Sequence, residues 1–448
     1  MREMKDSGIE WIGEMPKGWT INRIKNLFSN CKGLSITKEN LIDNGLPVIS
    51  YGQIHSKEND GTSIKKCLLR YVDYSYQKNN PKCEVRKNDF VFADTSEDYE
   101  GCGNCVYKRD DTLLFGGYHS IILHSICNVN DNRYLAYLFK TDSWRKQIRE
   151  TASGVKVYSV TQKALMNTSV ILPTFPEQKS IADFLDSKCS EIDGLISDIQ
   201  KQITTLEEYK RSVITESVTK GLNPDAEMKD SEVEWIGEIP KMWDYSRLGY
   251  ESYIRARLGW KGLKADEYVP EGYAFISAFN IQNNKLVWEP LNYITEERYN
   301  ESPEIKLSVG DVIIVKDGAG VGKCARIDEL PLGGTAPNSS IGVITPFEKL
   351  EYRYLSYYLQ SAIFGNFVMK LLNGMGVPHL TQEMLGNINI LIPPKNEQVE
   401  IADYLDEKIF EIDECISAKQ EQLSVLEDYK KSLIYEYVTG KKEVYVNE

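Results

Sequence analysis

EQKSIADFLDSKCSEID (177–193) returns 220 positions later as EQVEIADYLDEKIFEID (397–413). Each copy opens a stretch in which apolar residues fall at alternating steps of four and three. In the second copy Leu405, Ile409, Ile412, Ile416, Leu423, Leu426, Leu433 and Tyr437 hold this register, with Lys419 and Lys430 in the two remaining slots. The first copy matches slot for slot, from Leu185, Cys189, Ile192, Ile196, Ile199, Ile203 and Leu206 to Lys210, Val213 and Ser217. A seven-residue repeat held over about five heptads is the pattern of a coiled coil. About 40 helical residues reach ~60 Å at 1.5 Å per residue. Pro173, Pro176, Pro393 and Pro394 lie just upstream, where a helix tolerates them, and Gly221 and Gly440 stand where each helix should stop. A single amphipathic helix packed on its own domain is the alternative, but so narrow and long a stripe favours the coiled coil.

Outward from the helices the repetition continues. TLEEYKRSVITESVT (205–219) recurs as VLEDYKKSLIYEYVT (425–439), and Thr161-Gln162 as Thr381-Gln382. DSGIEWIGEMPKGW (6–19) recurs as DSEVEWIGEIPKMW (230–243) with ten of fourteen residues identical, and its tryptophans Trp11, Trp19, Trp235 and Trp243 are expected to pack the entry to each module. The period is too long for a solenoid and describes two modules of domain plus helix. Between motif and helix, LPVISY (46–51), DFVFA (89–93), HSIILH (119–124), YAFISAF (273–279), DVIIV (311–315) and SSIGVIT (339–345) predict strands. Helices are predicted to follow at 133–148 and 351–370. These middles align only as a skeleton: Ile49-Ser50 with Ile276-Ser277, Asp89 with Asp311, Ser120-Ile121 with Ser340-Ile341.

Charge is distributed as unevenly as identity. The chain of 448 residues has room for two or three domains and carries a net charge of −13, which taken whole argues against nucleic acid. Yet residues 171–222 hold 6 basic and 9 acidic residues and 391–448 hold 7 and 14, whereas 20–160 hold 20 and 16, and 244–390 hold 14 and 17. The acidity sits mostly in the helical segments and does not veto a local anion-binding surface. No apolar run approaches the ~20 residues that span a bilayer, and the N-terminus lacks the apolar core of a signal peptide, so a cytoplasmic protein without membrane contact is expected. Nine irregularly spaced cysteines do not suggest a secreted disulfide framework.

Three chemical motifs lose force against the repeat. KDGAGVGKCA (316–325) ends in Gly-Lys like a phosphate-cradling loop, but Asp317 stands where the first glycine belongs and Cys324 follows the lysine. Its counterpart EGCGNCVY keeps only Gly-x-Gly-x-Cys, a tight turn between strands. Cys102-x2-Cys105-x13-His119-x4-His124 has zinc-finger spacing, but residues five apart on a strand face opposite sides, so buried thiols are the better expectation and no metal is assigned. The Asn/Asp-Pro-Pro-aromatic motif of an adenine methyltransferase is absent, and four histidines leave little material for a Ser-His-Asp array.

The repeated EWIGEIPKxW, the Pro-x-x-Glu-Gln-x-x-Ile-Ala-x-x-Leu-Asp start of the helix and the LEEYK-x-S-x-I run resemble the specificity subunit of Type I restriction–modification systems, over essentially the whole chain. The resemblance implies an α+β fold class: two mixed α/β target-recognition domains separated by two long conserved helices that form an antiparallel coiled coil, with a pseudo-twofold internal repeat. Boundaries follow at 1–171 and 224–391 for the recognition domains, and 172–223 and 392–448 for the helices. It implies a non-catalytic subunit that binds double-stranded DNA, each domain reading half of a split, asymmetric site. It also implies two methyltransferase subunits as partners and, in the larger assembly, restriction subunits that translocate DNA. No cofactor is expected in this chain; S-adenosylmethionine, ATP and magnesium belong to the partners. A coiled-coil adaptor that binds protein and no DNA is the competing reading, and salt-dependent, sequence-selective DNA binding separates the two.

Candidate DNA contacts follow from the divergent middles. Gln53 and Asn280 align in ISYGQI and ISAFNI, and an amide can pair bidentately with adenine or else cap a strand end. Tyr118-His119-Ser120 and Asn338-Ser339-Ser340 align just before a buried strand. Lys316 and Lys323 are candidates for phosphate or guanine, Lys32 and Lys261 share Lys-Gly-Leu, and Arg255, Arg257 and Trp260 form a basic-aromatic cluster. Lys156, Tyr158 and His379 lie in and around the shared V-x-x-x-Thr-Gln segments opened by Val157 and Val377. Tyr209, Lys210, Tyr429 and Lys430, on heptad flanks, are the candidate partner contacts, with a solvated coiled-coil face as the alternative.

Overall fold

The computed structural model describes residues 3–126, 130–154, 156–231, 233, 236–256, 263, 265–318, 320–331, 333–372 and 379–444. It divides into two compact units that do not follow chain order: Met1–Asp198 with Gln422–Glu448, and Ile199–Glu421. Each long helix, Phe175–Lys220 and Lys395–Val438, therefore contributes one stretch to each unit.

In the first unit an antiparallel sheet runs in the order Phe28–Lys32, Ser120–Ser125, Phe90–Ala93, Cys105–Tyr107. A second sheet places Leu46–Ile49 between Phe115–Gly116, parallel, and Arg70–Val72, antiparallel. The second unit repeats both: Ser252–Arg255, Ile341–Pro346, Val312–Val315, Cys324–Arg326, and Asn292–Ile294, Tyr273–Ile276, Thr335–Pro337. Two hydrogen bonds fix the correspondence. Gly117 N–H donates to Ile49 O at 2.7 Å, as Asn338 N–H does to Ile276 O at 2.8 Å. Gly117 is thus the partner of Asn338, Tyr118 of Ser339 and His119 of Ser340, one residue off the sequence alignment.

The frame matches in the two units residue for residue. In the first, Asp186 on the long helix receives Arg109 at 2.7 Å, Arg133 at 3.2 Å and the Tyr137 hydroxyl at 2.7 Å. In the second, Asp406 receives Arg326 at 2.6 Å, Arg353 at 3.0 Å and the Tyr357 hydroxyl at 2.7 Å. Burial works against both carboxylates, but the bonds to Arg109 and Tyr137, and to Tyr357 and Arg326, outweigh it and hold them below the usual range. Trp19 and Trp243 are fully buried, and each sits against the glycine that ends the other module's helix: Gly440 (φ 72°) and Gly221 (φ 73°). A side chain at Gly440 would meet Pro16 Cγ at 2.5 Å, so only glycine both turns left-handed and lets the motif close over the helix end. Trp11 is half-buried, and Trp235 lies outside the described residues. Within the first unit the helices run antiparallel and pair Lys430 with Asp193 at 2.6 Å; within the second, Lys210 pairs with Asp413 at 2.5 Å.

Each four-stranded sheet also encloses a carboxylate. Asp311 is fully buried and binds Arg255 at 2.8 Å and the Thr345 hydroxyl. At the corresponding places the first unit has Asp89, His124 and Cys31: His124 Nδ1 lies 2.7 Å from Asp89 Oδ2, and its Nε2 lies 3.4 Å from Cys31 Sγ. The hydrogen bond to Asp89, then that to Cys31, raises the His124 ring to about 10. A pKa raised on folding contributes stability that is complete below the unfolded value of ~6.5 and is lost as pH climbs toward about 10. The melting-temperature gap between the wild type and His124→Gln is therefore expected to be widest below pH ~6.5 and to close as pH rises toward 10. A gap that widens with pH would refute this.

Candidate nucleic-acid interface

The rim of the first unit forms where the central strand Phe90–Ala93 ends. Beyond it, Thr95–Ser96 pairs with Tyr158–Ser159. His119 Nδ1 lies 2.8 Å from Asp94 Oδ1, and the Asp94 N–H donates to His119 O at 3.1 Å. His119 adopts φ 52°, a left-handed conformation that costs a non-glycine residue ~1–2 kcal/mol and persists only where neighbours hold it. The loop 116–120 is fixed by the Tyr118 N–H on Ser50 Oγ at 3.1 Å. Tyr118 is 42% exposed, and its ring lies 4.0 Å from His119 and 6.0 Å from Tyr51. Lys32 reaches the same rim through its pairing with Ile121, and Tyr158 packs on Tyr99 at 5.7 Å. Lys32 and Lys156 are exposed and have no ion pair among the described residues. The rim thus presents aromatic faces, an imidazole and ammonium groups: donors for phosphate and base edges.

In the second unit Lys316 and Asp317 follow the central strand Val312–Val315. Lys316, expected to contact phosphate or guanine, is buried: its N–H donates to Ser340 O at 2.7 Å, its side chain runs over Gly342, and its carbonyl receives Leu380 N–H at 2.9 Å. Asp317 binds His379 Nδ1. Lys323 is exposed on the turn into Cys324–Arg326 and Ser339 is exposed on its loop. Phe279, beside the candidate amide, is 63% exposed. A histidine bound to aspartate therefore marks this place in both units, drawn from different segments.

Several expected contacts are spent elsewhere. Asn280 is buried; its Oδ1 accepts Ser277 N–H at 3.0 Å and its Nδ2 donates to Val287 O and Pro290 O, leaving no edge for a base. Gln53 likewise accepts Ser50 N–H at 3.2 Å. Ser120 is buried with its hydroxyl on Gly117 O at 2.7 Å, and Asn338 accepts both the N–H and the hydroxyl of Ser340. Arg255 is buried on Asp311. Lys210 and Lys430 neutralise Asp413 and Asp193 between the helices, while Tyr209 and Tyr429 stay exposed. Arg257, Trp260, Lys261 and Val377 lie outside the described residues. The sequence reading passed over Tyr51, Asp94, Phe279 and Asp317; the aromatic beside the amide in ISYGQI and ISAFNI was the available signal.

The Gly-x-Gly-x-Cys segments are hairpin turns, with Val315 N–H on Lys323 O at 2.8 Å matching Ala93 N–H on Asn104 O at 3.1 Å. The four zinc-spaced residues do not converge: His119 turns to Asp94, His124 to Asp89, and burial pushes the Cys105 thiol up to about 12. Among the described residues no group of three His, Cys, Asp or Glu side chains is placed to hold a metal, and no helix is long and apolar enough to cross a membrane.

The family model for the Type I restriction modification DNA specificity domain matches residues 16–205 and 259–427. The chain is 28% identical over 319 residues to the Type I restriction enzyme MjaVIII specificity subunit of Methanocaldococcus jannaschii, covering 70% of this chain and 71% of that protein. It is 25% identical over 454 positions to the MjaIX specificity subunit of the same organism, covering 97% and 95%. A solved structure described as the basis of complex assembly and conformational transition of the type I R-M system shares the fold, with a TM-score of 0.68 at 17% identity over 96% of this chain and 99% of that one.

Proposed function

Because the chain belongs to the family of Type I restriction modification DNA specificity domains, we propose that each of its two units reads a different half of a bipartite DNA site while the helices dock two methyltransferase subunits. The observation that carries this reading is the contrast between frame and rim. Asp186 and Asp406 gather the same three partners, whereas the rims carry Tyr118, His119 and Lys156 in one unit and Phe279, Lys323, Ser339 and His379 in the other. Identical frames suit two copies of one partner, and unlike rims suit unlike half-sites. In this reading the chain contributes recognition in the cytoplasm, the methyltransferases bring S-adenosylmethionine, and restriction subunits join with ATP and magnesium.

Binding of duplex DNA by the chain with its methyltransferase partner, followed by anisotropy against salt, tests the proposal. Log K should fall linearly with log salt, and Lys323→Ala should reduce the slope by about 1 while weakening all sequences alike. Salt-independent or sequence-blind binding by the assembled complex would favour a protein adaptor.

A further inference from the structure

The two frames match so closely that a departure between them carries information. In the second unit the helix Ala362–Leu372 starts against the first long helix, and the Thr215 hydroxyl accepts the Ala362 N–H at 2.9 Å. Gln360, just before it, donates to Ser356 O at 3.1 Å. That helix start is closed from within. Its counterpart in the first unit is Asp142–Arg149. There Tyr435 occupies the place of Thr215, and Lys140 that of Gln360, each 220 positions away. Asp142 and Ser143, whose N–H groups have no intrahelical acceptor in a first turn, line a cleft of 670 Å³ together with Asp60, Lys140, Arg145 and Tyr435.

Among the described residues the lining sets three cations, Lys140, Arg145 and Lys431, against two carboxylates, Asp60 and Asp142. Lys140 makes no ion pair or hydrogen bond among the described residues. Desolvation, reinforced by Lys430, draws its amine down to about 8 against the opposing pull of Asp60, Cys189 and Asp193. Those acids are committed: Asp193 binds Lys430 at 2.6 Å, and Asp60 accepts the Thr62 and Ser63 N–H groups at 2.8 and 3.0 Å. Among the described residues Arg145 donates to two neutral acceptors, Phe139 O at 2.9 Å and Asn104 Oδ1 at 2.6 Å. Asp142 turns its carboxylate to Arg149 at 2.9 Å, and Lys431 turns to Asp428.

We propose that this cleft binds a phosphate-type oxyanion, seated on the first-turn N–H groups of Asp142 and Ser143 and paired with the Lys140 ammonium. The N–H groups and the positive end of the helix dipole converge on such a ligand, and charge-assisted hydrogen bonds make the contact strong. The oxyanion is either free phosphate or a phosphate of the DNA backbone.

Calorimetric titration of the full chain with inorganic phosphate at pH 8, in two buffers of different ionisation enthalpy, tests this. One site is expected, with uptake of protons, because the anion favours the charged form of Lys140. Lys140→Gln and Tyr435→Thr, which install the second unit's residues, should each weaken binding by about tenfold or more with little change in melting temperature. Duplex DNA that displaces phosphate identifies the backbone as the source; DNA that does not identifies the free ion. No binding to the wild type, binding without proton uptake, or affinities within about twofold in both variants would overturn the proposal.

Discussion

Asp311→Ala is expected to destabilise the second unit by about 3–5 kcal/mol, because it strands a buried guanidinium. Arg255 is held by that carboxylate at 2.8 Å inside a sheet where Asp311 has no exposure at all. The substitution also removes the acceptor of Ser308 N–H at 2.8 Å. For a unit of this size such a loss lowers the melting temperature by roughly 10 °C. The companion substitution in the first unit should cost less. Asp89→Ala leaves His124, which sheds its proton and becomes neutral, whereas arginine stays charged at any usable pH. Removing both partners, as in Asp311→Ala with Arg255→Leu, should recover much of the loss. Calorimetry decides: an Asp311→Ala unit melting within a degree or two of wild type would show that the pair is dispensable.

Exchange of residues 20–160 for the same region of a relative should change one half of the recognised DNA sequence and leave the other intact. Each mismatched base pair costs about 1–3 kcal/mol, roughly additively, so a half-site of three or so specified bases loses on the order of 10³-fold in affinity or more for the old sequence. The exchange keeps Trp19 under Gly440 and the helix Phe175–Lys220 with Asp186, and the relative must supply the counterparts of Arg109, Arg133 and Tyr137 that close on that carboxylate. Competition binding with duplexes that vary one half at a time measures it. A change in both halves would mean that the two units do not read independently.

The frame was legible in the sequence because its residues are written twice at fixed spacing. The heptads fell where the helices lie, and the glycines stood where they end. Less legible was what polar slots in a heptad do. Lys210 and Lys430 looked like docking residues; their partners, Asp413 and Asp193, are the last residues of the repeated segments quoted at the outset. The rims were read worst, for a physical reason. A one-residue slip in matching strands moves every side chain to the other face, and the loop at 118–120 was matched one residue off, which put the buried Ser120 among the contacts. Pattern also cannot show that a polar side chain is already occupied, as Asn280 and Arg255 are.

In the proposed reading one chain carries two different readers on one repeated frame. Mapping methylated adenines across the host genome by long-read sequencing tests it most directly. A bipartite motif of two unlike halves at a fixed spacing, methylated in both, is expected. A palindromic motif, or no motif that disappears when this gene is deleted, would contradict it.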